Sequence, residues 1–549
     1  MGLLKKLNFD VVYLIILTFL LLILKYKILN LPYFWDELNY IVPTINYLYN
    51  NHLTIFLWDY NLGHPPFFFL FNAILFKIFG NSQIVAHLGL LLFSLMSLFF
   101  TYLIGKKLFN KKIGIIASLL LLFTPVFFSY SGLLFLAIPL TAFTLATIYF
   151  SIKDEPFWYS IFGSLLILTE TTGILVIISI TLNKLIKEKI INLKIIKYCF
   201  PITIFLLWVL SNKFYYDHFL YPVGTSLIQI NLFSNIFNLF IILKTIFFDQ
   251  YRWVLTSLFL VSFINFKNIK KQNKNLIIIY FFISILLFLI LQNFNLLTKY
   301  FIDFYPNIGE YLSLVKFFSL LFAFLFFIIL LTYKEIIKFI KNKNNIYLVI
   351  VFLIALLAHI FIIPFAPRYI LFVMPIVILL FTYKINILFK KSSYLIFILI
   401  ILIFVLNFSG DRDDVGFALE TNMEYVDMIK THQLAASYIE ENYPNSTVLT
   451  AFPQSFELQY SFNKYVKNPI NVVTISPYPG VIDYKKDYKK FLTPNYFQEI
   501  DYSKADLYYY SKQEFPTKDI IEIKNKLNLT LVKRFEVNNK FTEIYEVNK

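Results

Sequence analysis

The chain has 549 residues, 58% of them hydrophobic and only 15% charged, with a mean hydropathy of +0.68. That balance excludes an ordinary soluble domain, in which apolar residues make up about half and charged ones about a quarter. The net charge of +16 does not imply nucleic-acid binding, because the lysines sit in short loops between apolar runs: Lys106-Lys107 with Lys111-Lys112, Lys184 to Lys194, Lys267 to Lys274, Lys334 to Lys343 and Lys384 to Lys391. This is the positive-inside pattern of a multi-pass membrane protein. The single cysteine, Cys199, rules out an intrachain disulfide and a cysteine-based metal site.

In chain order, the first span (about 11–29) follows Lys5 and Lys6, lacks a small-residue cleavage site, and reads as a retained signal-anchor with a cytoplasmic amino terminus. Residues 30–83 form the first outer loop, within which Phe67 to Phe79 is too short to cross comfortably and predicts a helix at the interface. Spans follow at about 84–104, 113–129 and 131–151. The run 157–183 is interrupted by Thr169-Glu170-Thr171-Thr172-Gly173 and predicts two short helices turning at Glu170 on the outer side. Further spans are expected at about 195–212, 250–266, 275–297, 312–333, 346–363, 369–385 and 394–408, with outer loops at 213–249 (partly amphipathic) and 298–311. The total is about thirteen, which leaves the carboxyl terminus outside.

Past Phe408 the composition turns polar at Gly410-Asp411-Arg412-Asp413-Asp414. Residues 1–409 therefore read as a transmembrane domain and 410–549 as an extracytoplasmic soluble α/β domain. In the latter, Thr431 to Asn442 has helical spacing. Thr447 to Thr450, Asn471 to Ile475 and Leu507 to Tyr510 read as strands, Ile520 to Leu527 as a further helix, and Leu529 to Val537 with Thr542 to Val547 as a closing hairpin. The sequons at Asn445 and Asn528 lend weak support to an outer location.

The candidate chemistry lies at the outer ends of spans. Asp36 and Glu37 follow Trp35 just past the first span. A carboxylate there serves as a general base, and its neighbour raises its pKa, orients an acceptor or holds a divalent ion. The same pair would also cap a juxtamembrane helix. Trp35 fits either an interfacial belt or a sugar-stacking platform. His64-Pro65-Pro66 fixes a histidine at a helix start, for a phosphate or sugar contact or for no more than the helix start itself. Arg368-Tyr369, after Pro364-Phe365-Ala366-Pro367, places a guanidinium where it binds a phosphate or snorkels to headgroups. Lys299 and Arg252 are weaker versions of the same case, and Asp217, His218, Asp303 and Glu310 read as solvated loop residues. His52, Asp59 and His64 share one loop without metal-ligand spacing. Neither a Walker-type glycine loop nor a Gly-x-Ser-x-Gly elbow occurs, which argues against a nucleotide-driven pump or a serine hydrolase.

The combination of Asp36-Glu37, His64-Pro65-Pro66, the inner loop Lys106-Lys107-Leu108-Phe109-Asn110-Lys111-Lys112-Ile113-Gly114 and the Thr124-Pro125 break resembles the membrane-embedded C-type (GT-C) glycosyltransferases. It is most similar to the branch of dolichyl-phosphate-mannose-protein mannosyltransferases and lipid A aminoarabinose transferases. The resemblance spans most of residues 1–185 and, more loosely, Arg368-Tyr369. It implies a GT-C fold, a polyprenyl(dolichyl)-phosphate sugar as donor, a lipid, glycan or protein as acceptor, and inverting transfer at the outer face of the plasma membrane. Carried over, Asp36 is the general base, Glu37 assists it or orients a substrate, His64 contacts donor phosphate or acceptor, and Arg368 neutralises the leaving phosphate. The chain departs from the pattern at His87, where relatives carry Arg, at Ala137-Ile138, where they often carry an acid, and at Glu170, where Lys is common. Both His87 and Glu170 fall at positions of substrate contact. The resemblance makes no cofactor certain and leaves a divalent cation as the candidate. A transporter or flippase, or a non-catalytic binder of lipid-linked saccharides, is the alternative. Acids at one membrane edge and the lack of repeated halves favour the enzyme.

Overall fold

The computed structural model describes residues 8–57, 63–188, 193–217, 219, 231–264, 308–362, 366–408, 420–474, 504–511 and 527–548. The expected span 275–297, Lys299, Asp303, Asp59, His218, the polar break at 410–414 and nearly all of the expected helix Ile520 to Leu527 lie outside those residues, as does the side chain of Glu310.

Helix α1 (Phe9–Lys25) opens with the Asn8 side chain accepting from the Asp10 N–H. After the acid pair come α2 (Val42–Asn50) and α3 (Phe67–Phe79), the latter on its expected bounds and ended by Gly80 at φ +88°. Helix α4 (Gln83–Leu108) is capped by Ser82, and α5 (Lys111–Phe123) by Asn110. These two cross closely because Gly105 meets Gly114; a Cβ at Gly105 would lie 2.6 Å from the Gly114 Cα. At the end of α1 opposite the acid pair, Lys106 pairs with Asp10 at 2.6 Å, and Lys112 donates to the Lys390 carbonyl and the Ser393 hydroxyl.

The expected span 113–129 is broken at Thr124. Pro125 lacks the N–H that would continue the ladder, and a short helix α6 (Pro125–Tyr130) starts there. The next helix, α7 (Ala137–Lys153), begins six residues later than the expected 131, after a turn in which Ser131 and Gly132 bond back to Phe127 and Ser129. The run 157–183 does form two helices, α8 (Pro156–Thr169) and α9 (Ile174–Glu188), turning at Glu170. Helices α10 (Leu193–Tyr216), α11 (Leu232–Phe247), α12 (Arg252–Val261), α13 (Ile308–Ile340), α14 (Lys343–Leu357), α15 (Met374–Phe389) and α16 (Ser393–Leu406) follow among the described residues. Among the described residues, four stretches are long and apolar enough to cross a membrane by length and composition: Phe9–Ile28, Gln83–Leu108, Lys343–Phe361 and Met374–Leu406. Breaks such as Pro125 and Glu170 leave other apolar helices among the described residues shorter, and Met374–Leu406 takes in two of the expected spans. The apolar helices support a membrane location.

The tail forms a mixed five-stranded sheet in the order β2-β1-β3-β5-β4, from β1 (Thr447–Thr450), β2 (Asn471–Thr474), β3 (Leu507–Ser511), β4 (Leu529–Val537) and β5 (Lys540–Val547). Strand β1 runs parallel to β2 and β3, while β5 runs antiparallel to β3 and β4. Helix α17 (Glu424–Asn442) covers β4 and β5. This unit seats on the first loop: the Tyr465 hydroxyl donates to the Tyr33 carbonyl at 2.9 Å, Phe452 meets Trp35 edge-on at 5.3 Å, and Tyr425 meets Phe34 at 5.8 Å.

Candidate active site

The acid pair is split by its backbone. Trp35 is left-handed at φ 52°, and Glu37–Ile41 make a π-turn in which the Val42 N–H reaches the Glu37 carbonyl. Pro43 has no N–H for an α-helical bond to Asn39, so the wider turn leaves no donor orphaned. As a result the two side chains point to different surroundings. Glu37 is buried, its two oxygens accepting from the backbone N–H groups of Phe34 and Leu134. Burial pushes its carboxyl up to about 8 against those two N–H groups, and the charges of Glu420 and Asp36 add to the rise. Asp36 keeps 21% of its side chain exposed and meets Arg368 at 2.6 Å.

Arg368 lies on the short turn Pro367–Ile370, with its guanidinium 5.0 Å from the Phe135 ring and 5.6 Å from that of Tyr369. Its Nη1 donates to Glu420 at 2.8 and 3.0 Å, and its Nη2 to Asp36. Glu420 is fully buried and also accepts from the Tyr130 hydroxyl. Burial lifts its carboxyl to about 7; Arg368 opposes the rise and Asp36 adds to it.

The His64 side reaches the same place. His64 stacks on Tyr40 at 5.3 Å and meets Glu170 at 2.9 Å. Burial works to raise Glu170, but His64 and the Thr171 N–H outweigh it and hold the carboxyl below its usual value. Tyr40 feels the charges of Asp36, Arg368 and Glu170 together, and so does Tyr369. Asp36, His64, Glu170, Arg368 and Tyr369 thus share one neighbourhood. Two predicted contacts lie elsewhere. Trp35 is packed away at 2% exposure, and His87 is buried with Nδ1 against the Leu29 carbonyl, where it pins the end of the first span. Among the weaker candidates, Arg252 is buried against the Thr245 and Ile246 carbonyls and Gln250, whereas Asp217 is exposed and pairs with Lys213.

Sequence reading missed Glu420, Tyr130 and Tyr40. The available signal for Glu420 was an acid a dozen residues past the last apolar run, close to the Asp411–Asp414 cluster that drew attention instead. Among the described residues, no three or more His, Cys, Asp or Glu side chains gather as a metal site.

Residues 63–215 match the sequence model of the dolichyl-phosphate-mannose-protein mannosyltransferase family. The ArnT structure from Cupriavidus metallidurans bound to undecaprenyl phosphate superposes with a TM-score of 0.50 at 10% identity, covering 97% of this chain and 98% of that one. The chain has the GT-C fold and resembles the protein mannosyltransferases and ArnT. Looser likenesses within the GT-C class are to the same ArnT in the apo state (TM-score 0.43, 12% identity, 98% of both chains) and to the Archaeoglobus fulgidus oligosaccharyltransferase complex with Zn and sulfate (TM-score 0.45, 13% identity, 91% of this chain and 67% of that one). No curated protein matches the sequence. Family match and GT-C fold together indicate glycosyltransferase activity in general.

Proposed function

We propose that the protein is an inverting glycosyltransferase that moves a sugar from a polyprenyl(dolichyl)-phosphate donor to an acceptor hydroxyl at the outer face of the plasma membrane. The observation that supports this reading is the meeting of Asp36 and Arg368 at 2.6 Å, a carboxylate and a guanidinium at the mouths of two distant apolar segments. The undecaprenyl phosphate in the structurally similar ArnT supports a lipid phosphate as the partner.

In the reaction, the acceptor oxygen attacks the anomeric carbon and Asp36 takes its proton. The bond from that carbon to the phosphate oxygen breaks, and the electron pair leaves with the polyprenyl phosphate. Arg368 offsets the charge that develops there. Attack opposite the leaving group inverts the anomeric centre. We assign sugar or phosphate contact to His64, Glu170 and Tyr369 because they share the neighbourhood of Asp36 and Arg368. A divalent cation, if one takes part, would be held by Asp36 and would supply positive charge to the leaving phosphate, and chelation would then slow turnover.

The test uses purified protein in lipid with a panel of labelled polyprenyl-phosphate sugars, reading release of polyprenyl phosphate and the anomer of the product. Turnover with inversion supports the reading. Tight donor binding without turnover on any acceptor would leave a non-catalytic binder, and donor movement across the bilayer without bond cleavage would leave a flippase.

A further inference from the structure

Arg368 divides its two terminal nitrogens between two acids that are held very differently. Glu420 has none of its side chain exposed and grips Nη1 with both oxygens, at 2.8 and 3.0 Å. Its backbone is stitched into the bundle. The Ser129 hydroxyl donates to the Glu420 and Asn422 carbonyls at 2.6 and 2.8 Å, and Gln250 donates to the Thr421 carbonyl at 2.5 Å. The Tyr130 hydroxyl holds the carboxylate itself. Asp36, on Nη2, has 21% of its side chain open. An anion arriving at Arg368 therefore displaces Asp36 and leaves Glu420 in place.

We propose that Glu420 is the positioning residue for the donor phosphate: it fixes one edge of the Arg368 guanidinium so that the other edge passes from Asp36 to the phosphate. The inference rests on the glycosyltransferase reading and deepens it. With the donor absent, Arg368 occupies the base. When the phosphate takes Nη2, Asp36 is released to accept the proton. Base and donor are thereby coupled through one side chain. Glu420 touches no reacting atom and acts through Arg368. It also lies on the segment that leads from the helices into the α/β unit, so this segment completes the site.

The experiment uses the full chain in lipid, with Glu420→Ala, Glu420→Gln and Tyr130→Phe. Readouts are binding of unsugared undecaprenyl phosphate, kcat and KM for a donor that turns over, and the melting temperature. Losing the charge-assisted grip should raise donor KM and weaken phosphate binding roughly tenfold in Glu420→Ala. Glu420→Gln, which keeps an acceptor oxygen, should fall between it and the parent, and Tyr130→Phe should move the same way by less. Acceptor KM should stay put. A role in folding alone would lower the melting temperature and the active fraction with donor KM unmoved. If Glu420→Ala does not fold, the other two variants decide on the same constants. A parental donor KM in folded Glu420→Gln and Tyr130→Phe would overturn the inference while leaving an active parent intact. A parent that neither turns over nor binds lipid phosphate would bring down the functional reading first.

Discussion

Asp36 Oδ2 and Arg368 Nη2 lie 2.6 Å apart across 332 residues of chain. The contact joins the loop after the first span to a turn ahead of α15, and under the proposed reading a donor phosphate competes with Asp36 for Arg368. Arg368→Lys should lose most of the donor affinity. A single ammonium cannot hold Glu420 with one nitrogen and a phosphate with another, as the guanidinium fork does. Donor KM should rise by roughly tenfold or more, measured by titrating the lipid-linked sugar. An unchanged KM would remove Arg368 from the phosphate site.

Arg368→Ala should also cost stability, and more at pH 8 than at pH 5. The buried Glu420 would lose its cation, and breaking a buried pair costs about 3–5 kcal/mol when the remaining acid is charged. Near pH 5 that acid, already raised to about 7 with Arg368 present, takes up a proton and sheds most of the cost. Thermal melts of parent and variant at the two pH values check the sign. Equal losses at both would mean that Glu420 does not change its charge between these pH values.

Glu37 gives a separate pH signature. Its folded value, about 8, lies above its ordinary 4.5, so the folded state binds the proton more tightly. Its contribution is full below about 4.5 and declines as pH rises through about 8. Glu37→Gln should flatten that part of the stability profile. It should also lower stability by about 1–3 kcal/mol, because the amide NH₂ would face the N–H of Phe34 or Leu134 instead of accepting from it. Chemical unfolding in detergent at several pH values reads both effects.

In the α/β unit, His432 joins Glu457 at 2.8 Å and Ser511 at 3.0 Å, and all three are buried. Replacing His432 by Leu strands the Glu457 carboxylate in the interior and should destabilise the tail by about 3–5 kcal/mol. Glu457→Gln together with His432→Leu should recover part of the loss in the same melting assay.

The pleated and periodic parts of this fold were legible from residue order. Phe67–Phe79 falls on its expected bounds, the closing hairpin forms with its second strand starting at Lys540, two residues before the expected Thr542, and Glu170 breaks its run as a lone acid among apolar residues should. Pairing across the chain was only half legible. Arg368 stood out because charge at a span mouth is costly, whereas Glu420 looked like any acid beside a polar break. Its importance comes from burial under Tyr130 and Arg368, which no local pattern announces. Nor could spacing separate the roles of Asp36 and Glu37. That separation depends on a left-handed Trp35 and a π-turn, both fixed by tertiary packing against Phe452 and by Pro43.

Threading is open to a direct check. With Cys199 replaced by Ser, a single cysteine at the exposed Asn445 should react with an impermeant reagent on intact cells, and one at the exposed Asn110 should not. The reverse pattern would invert the orientation and put the acid pair on the cytoplasmic side.

The most direct measurement compares the parent with Asp36→Asn on one labelled polyprenyl-phosphate sugar, reading both phosphate release and binding of unsugared undecaprenyl phosphate. Removing the base should cut release by about 10²–10⁴-fold. Phosphate binding should hold or tighten, because Arg368 loses a competing carboxylate. Release at the parental rate, or binding that collapses along with release, would contradict the assignment of Asp36 as a base held in check by Arg368.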